Sequence, residues 1–153
     1  MNVVYKIISK VLASRLKPLV PSLISGQQSG YVEGRQILNN IIQAHEVVHM
    51  LTSKRKDGMI MQLDISKAYD KVNWIYIKKV LTAFGFDHNW VRLVMALVTS
   101  SSFSILVNGS PSEIFTPSRG LRQGDPLSPF LFIITMEGLG RSVNQAKSLG
   151  KFK

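Results

Sequence analysis

Cysteine is absent from this sequence of 153 residues. Its absence excludes disulfide bonds, thiolate zinc sites and cysteine nucleophiles. A metal site in this chain would therefore have to use Asp, Glu or His. The absence of disulfides leaves the compartment undetermined, although it is compatible with a reducing one.

Long hydrophobic runs are absent as well. No window reaches the roughly 18 uninterrupted apolar residues that a membrane span needs. Lys6 and Lys10 interrupt the first apolar pattern, instead of preceding the core of a signal peptide. Repeats and low-complexity tracts are also missing, and 45% hydrophobic residues suit one globular domain with a modest core. We therefore expect a soluble, intracellular chain with no membrane partner.

Acidic residues are scarce. Nine Asp and Glu stand against 19 Lys and Arg, which gives a formal net charge of +10. Such a surplus favours polyanionic partners, through counterion release and electrostatic steering. The basic residues are spread along the chain, and a solvated surface explains that scatter about as well as a binding face does. Nucleic acid is the expected class of partner, but charge alone does not decide the matter.

Apolar side chains at helical spacing predict five helices. They cover residues 4–16, 36–54, 74–84, 90–98 and 125–146. Pro18 and Pro21 close the first helix, and Gly85 ends the third. Asp125 and Pro126 supply an N-cap and a first-turn proline for the last helix.

Strand signals are fewer. Residues 59–63 form a short apolar run that stops at Asp64, which predicts a buried strand with a carboxylate at its end. Residues 102–107 and 113–118 flank Asn108-Gly109, and this pattern predicts a β-hairpin. The predicted fold class is α+β in one unit, rich in helix, with a small antiparallel sheet.

Asp64, at the end of the predicted strand, is the first candidate for chemistry. Two-metal phosphoryl transfer needs hard oxygen ligands around paired Mg²⁺ ions, and an aspartate that ends a strand can present one of them. Asp70 follows beyond a short turn and is not placed in the same way. A structural alternative is that Asp64 caps the turn that follows it.

The second candidate is the segment SRGLRQGDPLSPFLF, residues 118–132, a basic loop with glycines that leads into an apolar helix. Loops of this form can place amide groups against a nucleotide or a template strand. An ordinary capped loop is the structural alternative, and spacing does not exclude it.

Several motifs resemble one family. LDISKAYD resembles the first palm motif of reverse transcriptases, and GLRQGDPLSP resembles the next motif as found in plant-type non-LTR retrotransposons, the LINE class. NVVYKIISKVLASRLKPLVPSLIS, QSGYVEGRQILNNI and ILVNGSP follow the same family in the same order. The resemblance covers nearly the whole chain.

The resemblance implies an incomplete fingers-and-palm portion of a right-hand polymerase, with residues 1–57 like the fingers and 58–153 like the palm. Asp64 would be a catalytic metal ligand, with the Ile65 carbonyl beside it. Ala68 and Tyr69 would shape the sugar pocket, where an aromatic ring excludes a ribose hydroxyl by steric hindrance. As an alternative, Tyr69 packs on the palm sheet and has no such role.

The remaining implied contacts involve the incoming nucleotide and the nucleic acid. Gln123 and Gly124 would line the nucleotide. Arg35 would belong to the template side of the fingers, and Arg119 and Arg122 would contact nucleic acid. The implied activity is RNA-directed DNA polymerisation with an RNA template, a DNA primer, deoxynucleoside triphosphates and Mg²⁺ or Mn²⁺, and the way such elements integrate implies action in the nucleus.

Two family segments do not occur in the sequence. They are the aromatic-Ala-Asp-Asp hairpin, which carries the remaining catalytic carboxylate, and the basic finger strand that grips the triphosphate. Mg²⁺ keeps its waters unless several anionic ligands replace them. We therefore expect the chain alone to bind the metal weakly and to lack polymerase activity.

Three alternatives stay open. The chain could be a non-catalytic nucleic-acid-binding remnant of a retrotransposon, or a fragment that does not fold because its sheet lacks strands. The third is a zinc protease, since residues 45–49, HEVVH, match a helix-borne zinc motif. In the longer form of that motif a Gly stands where this chain has Thr52, and a third His where it has Arg55.

Overall fold

Seven α-helices and one short hairpin make up the regular structure of the computed structural model, which describes residues 3–55 and 57–151. The helices are α1 (Val3–Leu16), α2 (Val20–Leu23), α3 (Ile37–Ser53), α4 (Ala68–Lys71), α5 (Trp74–Ala83), α6 (His88–Thr99) and α7 (Ser128–Ser148). A 3₁₀ turn, Lys17–Leu19, joins α1 to α2, and the strands are β1 (Leu106–Val107) and β2 (Ser110–Pro111).

All five predicted helices are present, and local capping explains several of their ends. The carboxamide of Asn73 caps α5 and the carboxylate of Asp87 caps α6, each accepting bonds from two backbone N–H groups. Asp125 accepts from the N–H groups of Leu127 and Ser128, as predicted for a capping residue, but α7 itself begins at Ser128, three residues after the predicted start. The short helices α2 and α4 were not predicted.

The predicted hairpin is confirmed in place and is shorter than expected. Leu106 pairs with Pro111 and Val107 with Ser110 in antiparallel register, around the Asn108-Gly109 turn. One isolated bridge, Phe103 to Phe115, continues the pairing further from the turn. The fold class is therefore α+β, helix-rich, with a small two-stranded antiparallel sheet.

The predicted buried strand over residues 59–63 is wrong. The segment has no regular secondary structure, and Met59 and Leu63 are 83% and 80% exposed. A strand is stable only when a neighbour satisfies its backbone N–H and C=O groups. No strand within residues 3–55 and 57–151 pairs with this segment, so its apolar side chains have no face to pack against.

The core is formed by α1, α5, α6 and α7. Representative fully buried side chains are Leu16, Ile77, Val94 and Ile134. Since α1 precedes residue 57 and the other three helices follow it, both halves of the chain share one core.

Two buried polar clusters tie distant segments together. In the first, the Ser9 hydroxyl on α1 donates to the Asp125 carboxylate before α7 at 2.6 Å. In the second, Glu137 on α7 accepts from both the N–H and the hydroxyl of Ser25. Buried carboxylates are stable only when bonded in this way.

Helix α3 differs from the other long helices, since none of its residues is buried. The Asn40 side chain attaches it to the preceding loop by donating to the Gln27 carbonyl and the Ser29 hydroxyl. None of the helices in the described part of the chain combines the length and the apolar character that crossing a lipid bilayer requires.

Candidate nucleotide and nucleic-acid site

The loop before α7 is docked on the segment around α4 by backbone hydrogen bonds. Leu121 N donates to Tyr69 O at 2.9 Å, and Gly120 N donates to Val72 O at 2.8 Å. The Trp74 indole donates to the Gly120 carbonyl at 2.7 Å. The two motifs that the sequence singled out are therefore neighbours in space.

Gly120 permits this close approach. Its φ is +99°, and a Cβ at this position would lie 3.1 Å from the Asp70 carbonyl oxygen. Any other residue here would be strained by the positive φ, and its Cβ would also crowd the backbone of Asp70.

A cleft of about 620 Å³ brings three of the predicted nucleotide-binding residues together. Tyr69, Gln123 and Gly124 line it, with Lys10 from α1 and Tyr31 from the loop before α3. The volume lies within the range of small-molecule sites, which is roughly 300–1,000 Å³. The residues that line the cleft supply two aromatic rings, three hydroxyls, one amide, one ammonium group and the carboxylate of Asp125.

Packing fixes the ring of Tyr69 at this cleft. It stacks on Phe132 of α7, with centroids 4.8 Å apart and 15° between the ring planes. Burial raises the pKa of Tyr69, and the nearby Tyr31 hydroxyl raises it further. Tyr69 is therefore a neutral side chain that lines the cleft from a well-packed ring, with its hydroxyl close to that of Tyr31.

Ile65 and Ala68 lie elsewhere. They line an apolar cavity of about 260 Å³, together with Val72, Phe132 and Met136. Ala68 is thus separated from the cleft that Tyr69 lines.

Asp64 is exposed and is not among the residues that line either space. Within the described ranges, no three residues of the types Asp, Glu, His and Cys lie close enough to hold a metal ion. These residues therefore do not fit a complete two-metal site, because such a site needs several carboxylates. Asp64 could supply one ligand of that set.

Arg35 organises the loop that carries Tyr31. Its guanidinium donates to the backbone carbonyls of Pro21, Ile24, Ser25 and Gln28. These bonds give Arg35 a structural role in the loop, and contact with a template stays a prediction.

Arg119 and Arg122 line a second cleft, of about 400 Å³, beside Asp70 and Phe103. Arg119 is exposed, whereas Arg122 is half-buried and donates to the Ser101 hydroxyl at 2.6 Å. The Arg122 guanidinium also lies 4.4 Å from the ring centroid of Tyr5. Of the two, Arg119 is free to meet a phosphate without losing an internal contact.

Lys10 and Tyr31 are cleft residues that the sequence did not reveal. Helical spacing places Lys10 on α1 without relating it to the later motifs, and only folding brings it to Gln123. Tyr31 stands in the motif QSGYVEGR, whose resemblance to the family drew attention to Arg35 alone. Its φ of +58° is unusual for a bulky residue and is typical of tightly held loops.

His45 and His49 lie on the exposed helix α3. A zinc site would need a third ligand, and the downstream Glu137 is not available for it, because it is buried and bonded to Ser25 and Arg141. Together with the missing third ligand among the described residues, this geometry does not support the zinc protease alternative.

Comparison with known proteins agrees with the resemblance in the motifs. The family model described as reverse transcriptase (RNA-dependent DNA polymerase) matches residues 1–152. The chain is 30% identical over 133 residues to a 149 kDa protein of transposon TX1 from Xenopus laevis, which covers 87% of this chain and 10% of that protein.

Two further relatives are Pol polyproteins of R2 retrotransposable elements. The chain is 34% identical over 107 residues to one from Popillia japonica, covering 70% of the chain and 18% of the polyprotein. It is 30% identical over 142 residues to the R2DM polyprotein of Drosophila melanogaster, covering 93% and 13%. The chain thus spans a tenth to a fifth of the length of these relatives. With the family model matching almost all of it, the chain belongs to the reverse transcriptase family, as a portion of a domain of the kind found in non-LTR retrotransposons.

Proposed function

We propose that this chain is the nucleotide-side portion of an RNA-directed DNA polymerase. The observation that carries the proposal is the cleft lined by Tyr69, Gln123 and Gly124. These residues come from two separate motifs, and the backbone bonds from the loop to the α4 segment hold them together. We further propose residues 1–57 as the fingers-like part and residues 58–153 as the palm-like part.

Tyr69 would select the sugar. Its ring is stacked on Phe132 and cannot retreat without losing that contact. A fixed aromatic wall leaves room for a deoxyribose and clashes with an added 2′ hydroxyl. Gln123 would hydrogen bond to the nucleotide from the opposite side, and Gly124 would allow it to approach the backbone.

Asp64 would contribute one metal ligand, with the Ile65 carbonyl beside it and Mg²⁺ or Mn²⁺ as the expected ion. Reverse transcriptases use divalent metal ions, which neutralise the charge that develops during nucleotidyl transfer. One carboxylate does not hold two such ions, so the chain by itself should not extend a primer. The polymerase activity belongs to a protein that adds the missing carboxylates.

The proposed partners are an RNA template, a DNA primer and deoxynucleoside triphosphates. Arg119 and Arg122, within the loop before α7, are the proposed contacts to the strands, and Arg35 is proposed on the template side. Action in the nucleus is part of the same proposal, because the template of such an element is copied at its integration site.

The first experiment is to sequence the native transcript and the matching genomic DNA about 100 codons past Lys153, well beyond one further hairpin of typical strand length. We expect the frame to continue into an aromatic-Ala-Asp-Asp segment. The extended protein should then extend a primer on an RNA template, and Asp64→Asn should abolish that activity. Asp57→Asn, which removes the same charge in the turn before residues 59–63, is the matched control.

An extended protein in which Asp64→Asn and Asp57→Asn are equally active would disprove the role of Asp64. A frame that stops or shifts at Lys153 would favour the second candidate function, a nucleic-acid-binding remnant without catalysis. The excess of 19 Lys and Arg over nine Asp and Glu supports that candidate. The exposed, isolated position of Asp64 is also compatible with it.

A further inference from the structure

A nucleotide in the proposed cleft would bring negatively charged phosphates, and none of the residues predicted to bind the nucleotide is basic. Lys10 supplies a positive charge there. It lines the same cleft as Tyr69, Gln123 and Gly124. It is also the only cationic residue among the described residues that line this cleft. Asp125 is the acidic residue that lines the cleft as well.

The neighbouring residue holds Lys10 in place. Ser9 is fully buried, donates to Asp125 and accepts from Leu127 N at 3.3 Å. These bonds fix α1 against the start of α7, directly behind the loop with Gln123 and Gly124. The backbone of Lys10 is thus positioned by a buried cluster, while its side chain is exposed.

Asp125, the acidic residue that lines the same cleft, already bonds to other groups. The Asp125 carboxylate is buried and accepts bonds from the Ser9 hydroxyl, from Leu127 N, and from both the N–H and the hydroxyl of Ser128. Neither of the two ion pairs found within residues 3–55 and 57–151 includes Lys10. The Lys10 ammonium is therefore available to an anion from outside the chain.

We propose that Lys10 binds a phosphate group of the nucleotide whose sugar stands against Tyr69. The proposal rests on the proposed function and adds to it a phosphate-binding residue on α1. A lysine suits this task because its ammonium is a compact point charge with three donors, which can follow a phosphate through small shifts in position. The Tyr69 hydroxyl and the Gln123 amide would remain for the sugar and the base.

The test measures binding of phosphate-bearing probes to the full chain by isothermal titration calorimetry at low salt. The probes are inorganic tripolyphosphate, dTTP and a short single-stranded DNA. The variant is Lys10→Met, which keeps the length of the side chain and removes its charge. Lys6→Met is the matched control, because Lys6 is an exposed lysine of α1 that does not line the cleft.

We expect Lys10→Met to weaken tripolyphosphate and dTTP binding about tenfold, the lower end for one charge-assisted contact, because the Lys10 side chain is exposed. Lys6→Met should change both affinities less than about twofold, the range of general screening. Lys10→Arg should restore most of the affinity, which a purely structural role would not explain. Equal thermal unfolding of all the variants would show that the fold is intact.

Equal losses in Lys10→Met and Lys6→Met would overturn the inference, as would wild-type chain that binds neither tripolyphosphate nor dTTP. A loss confined to the DNA probe would assign Lys10 to a strand phosphate and would also overturn it. A third outcome is that Lys10→Met weakens tripolyphosphate binding while dTTP binds the wild type no better than tripolyphosphate does. In that case Lys10 still binds phosphate, but the sugar pocket of the proposed function is contradicted.

Discussion

Single residues decide whether the loop before α7 can dock on the segment that carries Tyr69. Gly120 is the clearest case, because it combines a positive φ with a close approach to the Asp70 backbone. Its own N–H and C=O are both bonded, to Val72 O and to the Trp74 indole. The backbone of Gly120 therefore cannot turn to relieve a side chain without breaking two hydrogen bonds.

We expect Gly120→Ala to lower the free energy of unfolding by about 2–4 kcal/mol, from left-handed strain plus the contact of the new Cβ with Asp70. Gly109→Ala is the matched control, since Gly109 has a φ of +82° but nothing within 4 Å of the added Cβ. It should lose only about 1 kcal/mol. Urea unfolding followed by tryptophan fluorescence measures both, and equal losses would show that the contact with Asp70 is unimportant.

At the scale of elements, Glu137 on α7 connects three segments of the chain. It accepts from Ser25 and from Arg141 Nε at 3.0 Å. Arg141 also donates to the Leu23 carbonyl and lies 4.4 Å from the ring centroid of Phe84. This cluster fastens α7 to the chain after α2 and to the end of α5.

The pKa of Glu137 is lowered in the folded chain. Burial alone would raise it, but the hydrogen bonds from Ser25 and Arg141 and the charge of Arg141 together outweigh burial. A carboxyl group with a lowered pKa stabilises the folded state fully above its unfolded pKa, about 4.5. This contribution is lost as the pH falls below that value, through the folded pKa.

We therefore expect Glu137→Gln to lower the free energy of unfolding at neutral pH by about 1–2 kcal/mol, because it removes the charge that pairs with the partly exposed Arg141 and weakens the bonds from Ser25. The difference from the wild type should shrink as the pH falls below 4.5, the ordinary pKa of the group. Chemical unfolding at a series of pH values measures it.

Glu33→Gln is the control for this prediction. Glu33 forms an exposed ion pair with Lys17 at 3.3 Å, and exposed pairs contribute about 0–1 kcal/mol. A difference for Glu137→Gln that stays constant down to the lowest pH would contradict the proposed role of its charge.

At the scale of the whole molecule, the charge of +10 is the property most relevant to partners. If the surface around the second cleft contacts the phosphate backbone, binding must release counterions and weaken with salt. Arg119 is the exposed basic residue of that cleft.

We expect the logarithm of the affinity for a DNA or RNA oligonucleotide to fall linearly with the logarithm of the salt concentration. Arg119→Gln should reduce the magnitude of this slope by about 1, the value for one lost phosphate contact, with little change in sequence preference. Arg92→Gln, an exposed arginine of α6 outside the cleft, is the matched control. Fluorescence anisotropy measures the slopes, and binding independent of salt would contradict nucleic-acid recognition by charge.

Helix positions followed from the sequence because periodic apolar residues and short-range caps determine them. Asn73 and Asp87 cap α5 and α6 through bonds to the next few residues, and the Asn108-Gly109 turn forms from its own two residues. The strand predicted for residues 59–63 is wrong, because a strand also needs a neighbouring strand to pair with. The local sequence pattern does not show whether such a neighbour exists.

For the candidate site, the sequence by itself determined the family and the two motifs that carry Tyr69 and Gln123, and the metal-ligand role of Asp64 stays a prediction. Only the tertiary structure decided which of these residues line the same cleft, because that depends on how segments distant in the chain pack together. It joined Tyr69 to Gln123 and Gly124, placed Ala68 in another cavity and brought in Lys10 from α1. The bonds responsible, such as Ser9 to Asp125, link residues whose separation no local pattern can encode.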